Sequence, residues 1–252
     1  MLDGLKRLFS RPAAAPPAWD PAVVWAERHG HVFRPVKDEG GFVVDGQAGS
    51  LAWRLEWGPS QRPYVQGNEL RLRSDAALPA DIQAMVLDRP LQLTMEQSVF
   101  DQYVEGVQTR IDNTTPPEMR WLVMLTKLSG NELGALRERF AAVGSSTNWL
   151  MHWLHGPLAQ ALLAAPLVPG QPMVLMVARG RVTLRAGLGE LSGAALDDWL
   201  RLFSVALREA RRAAEQSAAA TGAASTRPSL WAPDAMPPGA PEAPETDPEP
   251  PR

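Results

Sequence analysis

Two stretches in which apolar and polar residues strictly alternate constrain the fold most. Residues 51–57 read LAWRLEW and residues 69–73 read ELRLR. A period of two is typical of a β-strand that buries one face and exposes the other. The intervening loop begins with Gly-Pro, a pair that favours a turn and could return the chain antiparallel. We therefore predict an antiparallel meander over residues 42–74.

A second β region follows later in the chain. Residues 172–187 contain the apolar run MVLMVA, an Arg179-Gly180 turn and a second alternating stretch, RVTLR, which together predict a hairpin. Apolar residues at helical spacing predict amphipathic helices over 21–29, 90–111, 148–165 (divided at Gly156-Pro157) and 192–214. The sequence therefore predicts an α+β fold, with mostly antiparallel sheet structure built from hairpins and a meander and packed by amphipathic helices.

Three shorter segments between these regions are predicted from local signals. Asp81 is placed to cap a short helix. Residues 120–128, RWLVMLTKL, form an apolar run short enough for a buried strand. Ser129 and Glu132 have the spacing of a capping box, which predicts a helix that ends near residue 144.

Composition divides the chain into three parts. From Ala213 onward there are six acidic residues against two arginines, and nine prolines lie between Thr221 and Arg252. Such a segment cannot bury enough apolar surface to form a core. We predict a flexible N-terminal segment with a short amphipathic stretch (1–19), a single globular domain (20–212) and a disordered Ala/Pro/Glu-rich tail (213–252). Strands followed by helices occur twice, which leaves open that residues 20–115 and 116–212 are divergent repeats.

Charge and cysteine content exclude several classes of protein. The chain has 25 basic and 28 acidic residues, and removing those at the two ends (five basic, eight acidic) leaves 20 of each within residues 21–212. A neutral core argues against binding nucleic acid. Without cysteine there is no disulfide, thiolate nucleophile or cysteine metal ligand. No stretch has the length of a membrane span or the pattern of a secretion signal, so we expect a cytoplasmic protein.

Two local motifs invite a catalytic or metal-binding interpretation, and neither is specific. Residues 187–193, GLGELSG, lead from a predicted strand into a predicted helix as a nucleotide-binding turn does, but the third glycine is displaced. We keep a nucleotide- or small-molecule-binding enzyme that uses the Gly187–Gly193 turn as an alternative. The histidines form the pairs His29/His31 and His152/His155, and only the second has the one-turn spacing of a shared metal ion. We predict no catalytic residue, no metal and no cofactor.

Charged side chains of the predicted strands indicate a binding surface. Five arginines would form a basic face if both β regions share one sheet: Arg54, Arg71, Arg73, Arg181 and Arg185. Arginine is well suited to hold a phosphate or an acidic partner. Glu56 and Glu69 lie on the same side, however, and could pair with these arginines as ordinary surface residues.

Both ends of the chain carry small apolar clusters. Leu5 and Phe9 lie on one side of a short N-terminal helix whose other side is basic, and Trp231 lies within the proline-rich tail. Such clusters can dock weakly on a protein or a lipid surface. The leading hypothesis is a non-catalytic binding or scaffold module that contacts an unidentified protein partner through its flexible ends. A peripheral membrane protein that binds weakly through residues 1–11 is the second alternative.

Overall fold

The computed structural model describes residues 17–36, 40–104 and 116–225, and the structural statements below refer to these residues. The chain divides into two compact units, Met1–Glu215 and Gln216–Arg252. The first unit contains the entire sheet, and the described residues of the second continue a helix to Ser225. The predicted domain boundaries and the predicted repeat of the two halves stay predictions.

Nine strands of the described residues form one antiparallel sheet, so the two predicted β regions share a sheet. The strands are β1 (Val32–Val36), β2 (Gly41–Ala48), β3 (Leu51–Pro59), β4 (Asn68–Asp75), β5 (Ala84–Asp88), β6 (Thr126–Lys127), β7 (Phe140–Gly144), β8 (Met173–Ala178) and β9 (Arg181–Gly187). Their order is β1-β2-β3-β4-β9-β8-β5-β7-β6. The predicted α+β fold with mostly antiparallel strands is confirmed.

Seven α-helices accompany the sheet in the described part of the chain. They are α1 (Asp20–Arg28), α2 (Arg89–Val104), α3 (Pro117–Met124), α4 (Gly130–Leu133), α5 (Thr147–Leu154), α6 (Pro157–Leu163) and α7 (Gly193–Ser225). The predicted division near Gly156 is confirmed, because Gly156 takes a positive φ of 82° and Pro157 begins a new helix.

The main core lies where the meander meets the hairpin. Leu55, Leu72 and Leu184 occupy directly opposed positions on β3, β4 and β9, and all three are fully buried. Apolar residues of α1, α5, α6 and α7 pack over them, among them Trp153 and Phe203. The alternation in the sequence follows from this packing, because every second side chain of these strands points away from the core.

A second, smaller apolar cluster lies on the opposite face of the sheet, over β8, β5 and β7. Met85, Leu87 and Val143 belong to it, and Leu91 and Met95 of α2 pack over them together with residues of α3. On the same face, β1 to β4 and β9 carry charged residues in place of apolar ones. One face of the sheet is therefore apolar over one half and charged over the other.

The segment after Asp81 forms strand β5 and not the predicted short helix. All five residues of β5 are buried, and the strand pairs with β7 on one side and β8 on the other. Its last residue, Asp88, accepts hydrogen bonds from the backbone N–H groups of Leu91 and Met173. Asp88 thus takes the helix-capping role predicted for Asp81 and also links α2 to β8.

Two further local predictions are wrong in part. Residues 120–128 form most of α3 and the two-residue strand β6, because Pro117 occupies the start of a helix that the apolar run continues. The capping box of Ser129 and Glu132 is confirmed. The helix that it starts lasts one turn, however, and after a short 3₁₀ segment the chain enters strand β7 at Phe140.

The last helix is longer than predicted. Helix α7 continues to Ser225, whereas the sequence predicts an end near residue 214. Five of the eleven added residues, 215–225, are alanine, which has the highest helix propensity. Helix α2 is described to Val104, and its predicted continuation lies outside the described residues. Three predicted site residues also lie outside the described residues: Leu5, Phe9 and Trp231.

Candidate functional site

The five predicted arginines lie on one face of three adjacent strands. Arg54 of β3 is directly opposite Arg73 of β4, and Arg71 of β4 is directly opposite Arg185 of β9. Arg181 lies opposite Asp75, at the end of the same strand pair. We call this surface the ion-paired face, and it consists of Arg34, Asp45, Arg54, Glu56, Glu69, Arg71, Arg73, Asp75, Arg181 and Arg185.

Carboxylates on the ion-paired face form ion pairs with four of the five predicted arginines. Asp45 pairs with Arg54 at 2.7 Å between Oδ1 and Nε. Glu56 bridges two arginines, with its oxygens 3.3 Å from Arg71 Nε and 2.8 Å from Arg73 Nη2, and Glu69 Oε1 lies 2.5 Å from Arg185 Nη1. Like charges directly opposite each other destabilise a sheet, so these carboxylates are needed for the strands to pair in this register.

The Asp45 carboxyl shows how strongly the arginines act on this face. Partial burial alone would raise its pKa. The hydrogen bond from Arg54 and the positive charges of Arg54 and Arg34 outweigh this effect, so the pKa of Asp45 lies below its ordinary value. Asp45 also forms an ion pair with Arg34 of β1. Arg34 and Asp45 are site residues that were not predicted from the sequence. Asp45 alternates with the buried Val44 along β2, and this alternation was the signal that could have identified it.

Three of the predicted arginines line one recess. Arg54, Arg73 and Arg181 surround a recess of about 400 Å³ that also includes Asp45 and Asp75. Arg181 is exposed and forms no ion pair with a described residue, so its guanidinium is accessible from the recess although Asp75 lies on the opposite strand. The sheet pairing of β3, β4 and β9 therefore brings together arginines that are more than 100 positions apart in sequence.

Arg71 lines a different groove. This groove, of about 570 Å³, has Val43, Glu56 and Arg71 on its floor and the loop that begins at Pro59 as a wall. The Nε and Nη1 atoms of Arg71 are buried and make no hydrogen bond with a described residue. Buried guanidinium nitrogens without a partner are costly, so the contact with Glu56 at 3.3 Å compensates this side chain only in part.

A buried polar network joins the ion-paired face to helix α3. Glu118 is fully buried and accepts hydrogen bonds from Arg62 Nε at 2.9 Å and from Tyr64 Oη at 3.0 Å. Its Oε1 lies 4.0 Å from Arg185 Nε, and Glu69, also fully buried, accepts from Arg185. Burial and the negative charge of Glu118 raise the pKa of Tyr64 far above its ordinary value. Glu118 has no sequence pattern that sets it apart, and the helix that contains it overlaps a segment, 120–128, that the sequence predicts as a strand.

The Gly187–Gly193 turn uses its polar groups within the protein. The N–H groups of Gly187 and Leu188 donate to the carbonyl oxygens of Pro172 and Asn68. Trp57 Nε1 donates to the carbonyl oxygen of Leu188 at 2.8 Å. At the start of α7, Ser192 Oγ accepts from the N–H of Ala195, as an N-cap does. Backbone N–H groups at both ends of this turn are thus bonded within the protein, as in a capped strand-to-helix turn.

The two histidine pairs lie in different surroundings. His29 and His31 stack at 5.7 Å between ring centroids, and His29 Nε2 lies 3.5 Å from Asp197. Burial and the neighbouring His29 lower the pKa of His31. His155 contacts the carbonyl oxygen of Glu132 through Nε2. Within the described ranges, no three His, Asp or Glu side chains are arranged to hold a metal ion.

Comparison with known proteins gives one structural similarity. No family model matches the chain, and no curated protein matches it. The crystal structure of the mycobacterial trehalose monomycolate transport factor A, TtfA, is similar over 78% of this chain and 96% of that chain, with 12% sequence identity and a TM-score of 0.48. That identity and TM-score are too low to carry an argument about function. Among the described helices, none combines the length and apolar character needed to cross a membrane.

Proposed function

We propose that the protein is a non-catalytic binding module of the cytoplasm that docks an acidic protein partner on its ion-paired face. The observation that carries this proposal is the recess lined by Arg54, Arg73 and Arg181. Arg181 forms no ion pair with a described residue, and the Arg73 side chain is 44% exposed. A partner carboxylate can therefore approach both arginines.

The ion pairs of this face support docking more than they oppose it. Exposed ion pairs contribute about 0–1 kcal/mol each, so a partner carboxylate can replace an internal one at small cost. Arginine is also enriched among residues that dominate binding energy at protein interfaces. The alternating charges along β3 and β4 would fix the orientation of the partner, because a shifted alignment places like charges together.

The same arrangement favours binding over acid–base catalysis. Asp45 and Glu56 are each held between two arginines, and neighbouring positive charge keeps a carboxylate ionised. A general base or acid that works near neutral pH usually needs a raised pKa, whereas that of Asp45 is lowered.

The terminal segments would add weak contacts to this docking. Leu5 and Phe9 lie in the predicted amphipathic stretch at one end, and Trp231 lies in the Ala/Pro/Glu-rich segment at the other. Once the folded part is docked, the second contact is effectively intramolecular, so even a weak one raises the overall affinity. We therefore propose that the ends strengthen a complex whose orientation the ion-paired face sets.

The test is affinity capture with the tagged full-length chain from the cells that produce it. The variant Arg73→Gln/Arg181→Gln removes two arginines from the recess. The matched control, Arg137→Gln/Arg201→Gln, removes two exposed arginines that lie elsewhere, with side chains 57% and 71% exposed. We expect proteins captured by the wild type and by the control to be lost with the recess variant. Identical capture by all three chains would overturn the role of the recess.

The role of the ends is tested separately with Trp231→Ala and with Leu5→Ala/Phe9→Ala. We expect each variant to reduce the recovery of the same proteins without abolishing it. Unchanged recovery from both variants would contradict the contribution of the ends and would leave the docking surface in place.

A further inference from the structure

We propose that a second site, the arginine groove between the β2–β3 hairpin and helix α7, binds the phosphate monoester of a small organic molecule. The groove encloses about 580 Å³ and lies on the helix-covered side of the sheet, away from the ion-paired face. Ser50 and Leu51 of the hairpin form one wall, and Ser204, Arg208, Arg211 and Arg212 of α7 form the other. The proposal is therefore independent of the proposed docking function.

The helical repeat of α7 builds one wall of this groove. Ser204, Arg208, Arg211 and Glu215 follow one another at steps of four, three and four residues, which places them on one stripe of the helix. Leu207 beside this stripe is almost fully buried in the main core and fixes the helix against the sheet. The polar stripe is thus presented by a rigid element, as a specific binding site requires.

A buried carboxylate orients two of the arginines. Glu209 is only 3% exposed, and its two oxygens accept from Arg208 Nε at 3.2 Å and from Arg212 Nε at 2.7 Å. Arg212 also donates through Nη2 to the carbonyl oxygen of His152. Arg208 is held through Nε alone, so both of its terminal nitrogens remain for a ligand. Fixing these long side chains in advance reduces the entropy that binding must cost.

Arg211 supplies the positive charge that Glu209 does not neutralise. Its side chain is exposed on the groove and makes no hydrogen bond or ion pair with a described residue. Three arginines therefore line the groove against the buried Glu209 and the exposed Glu215. The excess of positive charge favours the binding of an anion, and Glu215 at one end of the groove would repel that anion.

The form of the groove identifies the class of anion. The planar guanidinium fork matches two oxygens of a phosphate, and a phosphate monoester carries nearly two negative charges at neutral pH. The volume lies within the range of small-molecule sites. Ala48 and Leu51, both partly exposed, add apolar surface beside the arginines. A phosphate ester with an apolar group satisfies both the charged and the apolar parts of this lining.

The proposal is tested by isothermal titration calorimetry of the full-length chain at pH 7.5 with phenyl phosphate, inorganic phosphate and phenol as probes. We expect phenyl phosphate to bind most tightly, inorganic phosphate more weakly and phenol not measurably. Arg208→Gln and Arg211→Gln should each weaken phenyl phosphate binding by about tenfold, the effect expected for one lost charge-assisted hydrogen bond. Arg201→Gln, on the same helix and paired with Asp198, is the matched control and should leave Kd unchanged.

Glu215→Gln gives an independent check that a damaged fold cannot imitate. Removing this carboxylate should tighten the binding of phenyl phosphate severalfold, because it removes repulsion without adding a contact. The proposal is overturned if phenol binds as well as phenyl phosphate, if Arg201→Gln weakens binding as much as Arg211→Gln, or if no soluble ester binds at millimolar concentration. Binding to vesicles that contain phosphatidic acid, without binding of phenyl phosphate, would also overturn it, since the phosphate would then be that of a lipid.

Discussion

Replacing Glu118 with glutamine is expected to destabilise the protein far more than the same replacement at the surface. Glu118 lies in the first turn of α3, is fully buried, and forms ion pairs with Arg62 and Arg185. Glutamine has nearly the same shape, so the change removes the charge and creates no cavity. The variant therefore isolates the electrostatic part of the network.

The expected loss follows from the contacts of Glu118. Breaking a buried ion pair costs about 3–5 kcal/mol when the remaining charge stays out of water. Arg62 is 23% exposed and regains some hydration, while Arg185 keeps its pair with Glu69. The amide oxygen of glutamine can still accept from Tyr64. We therefore expect a loss of about 2–3 kcal/mol in the free energy of unfolding, below the range for a fully buried pair.

Urea denaturation at neutral pH measures this loss directly. The midpoint should fall for Glu118→Gln while the slope stays unchanged, because the surface exposed on unfolding is the same. The matched control is Glu138→Gln, whose side chain is 78% exposed and pairs with Arg137 at the surface. That control should lose less than about 0.5 kcal/mol. Equal midpoints for the two variants would refute the view that the buried network stabilises the fold.

Three further changes test other parts of the structure. Because burial raises the pKa of Tyr64, the neutral Tyr64 side chain contributes stability that is present below pH 10 and is lost as the pH rises further. The variant Tyr103→Phe leaves Tyr64 as the single tyrosine, and its tyrosinate absorbance should appear only when the protein unfolds. Because burial and His29 lower the pKa of His31, the neutral His31 side chain contributes stability that is present above pH 6.5 and is lost as the pH falls below it. In urea titrations at decreasing pH, the free energy of unfolding should therefore fall less steeply for His31→Gln than for the wild type. Gly41→Ala should cost about 1–3 kcal/mol in the same assay, because its methyl group would strike a backbone carbonyl oxygen of β3.

The meander, the hairpin and the long helices could be predicted because their signals are local. In β3 and β4 the apolar residues repeat every second position, and the turn at Arg179-Gly180 joins two strands of the right length. Each element buries one side only, so the period is visible in the sequence. The division between α5 and α6 was equally accessible, since Pro157 cannot continue a helix.

Strands β5 and β7 could not be predicted by the same reasoning. Each has a neighbouring strand on both edges and helices packed over both faces, so all of its side chains are buried. The sequences AMVLD and FAAVG therefore show no alternation of apolar and polar residues. A short apolar run of this kind suits a strand or a helix, and its neighbours in the sheet decide between them. The apolar run of α3 is equally ambiguous, and the sequence predicts a strand where the structure has a helix. Pro116 and Pro117 before the run were the signal for a helix start.

The candidate site depended on a pairing that no local pattern specifies, namely β4 beside β9. That pairing places Arg71 opposite Arg185, and the pairing of β4 with β3 on its other side places Arg73 opposite Arg54. Both are like-charge contacts, and the strands tolerate them because Glu56, Glu69 and Asp45 stand beside the arginines. A slip of one residue would turn these charges into the core and the leucines out to water. The acidic residues of this face therefore also matter for the fold: Asp45, Glu56 and Glu69 offset arginines that would otherwise repel one another, which favours this register of the sheet over its neighbours.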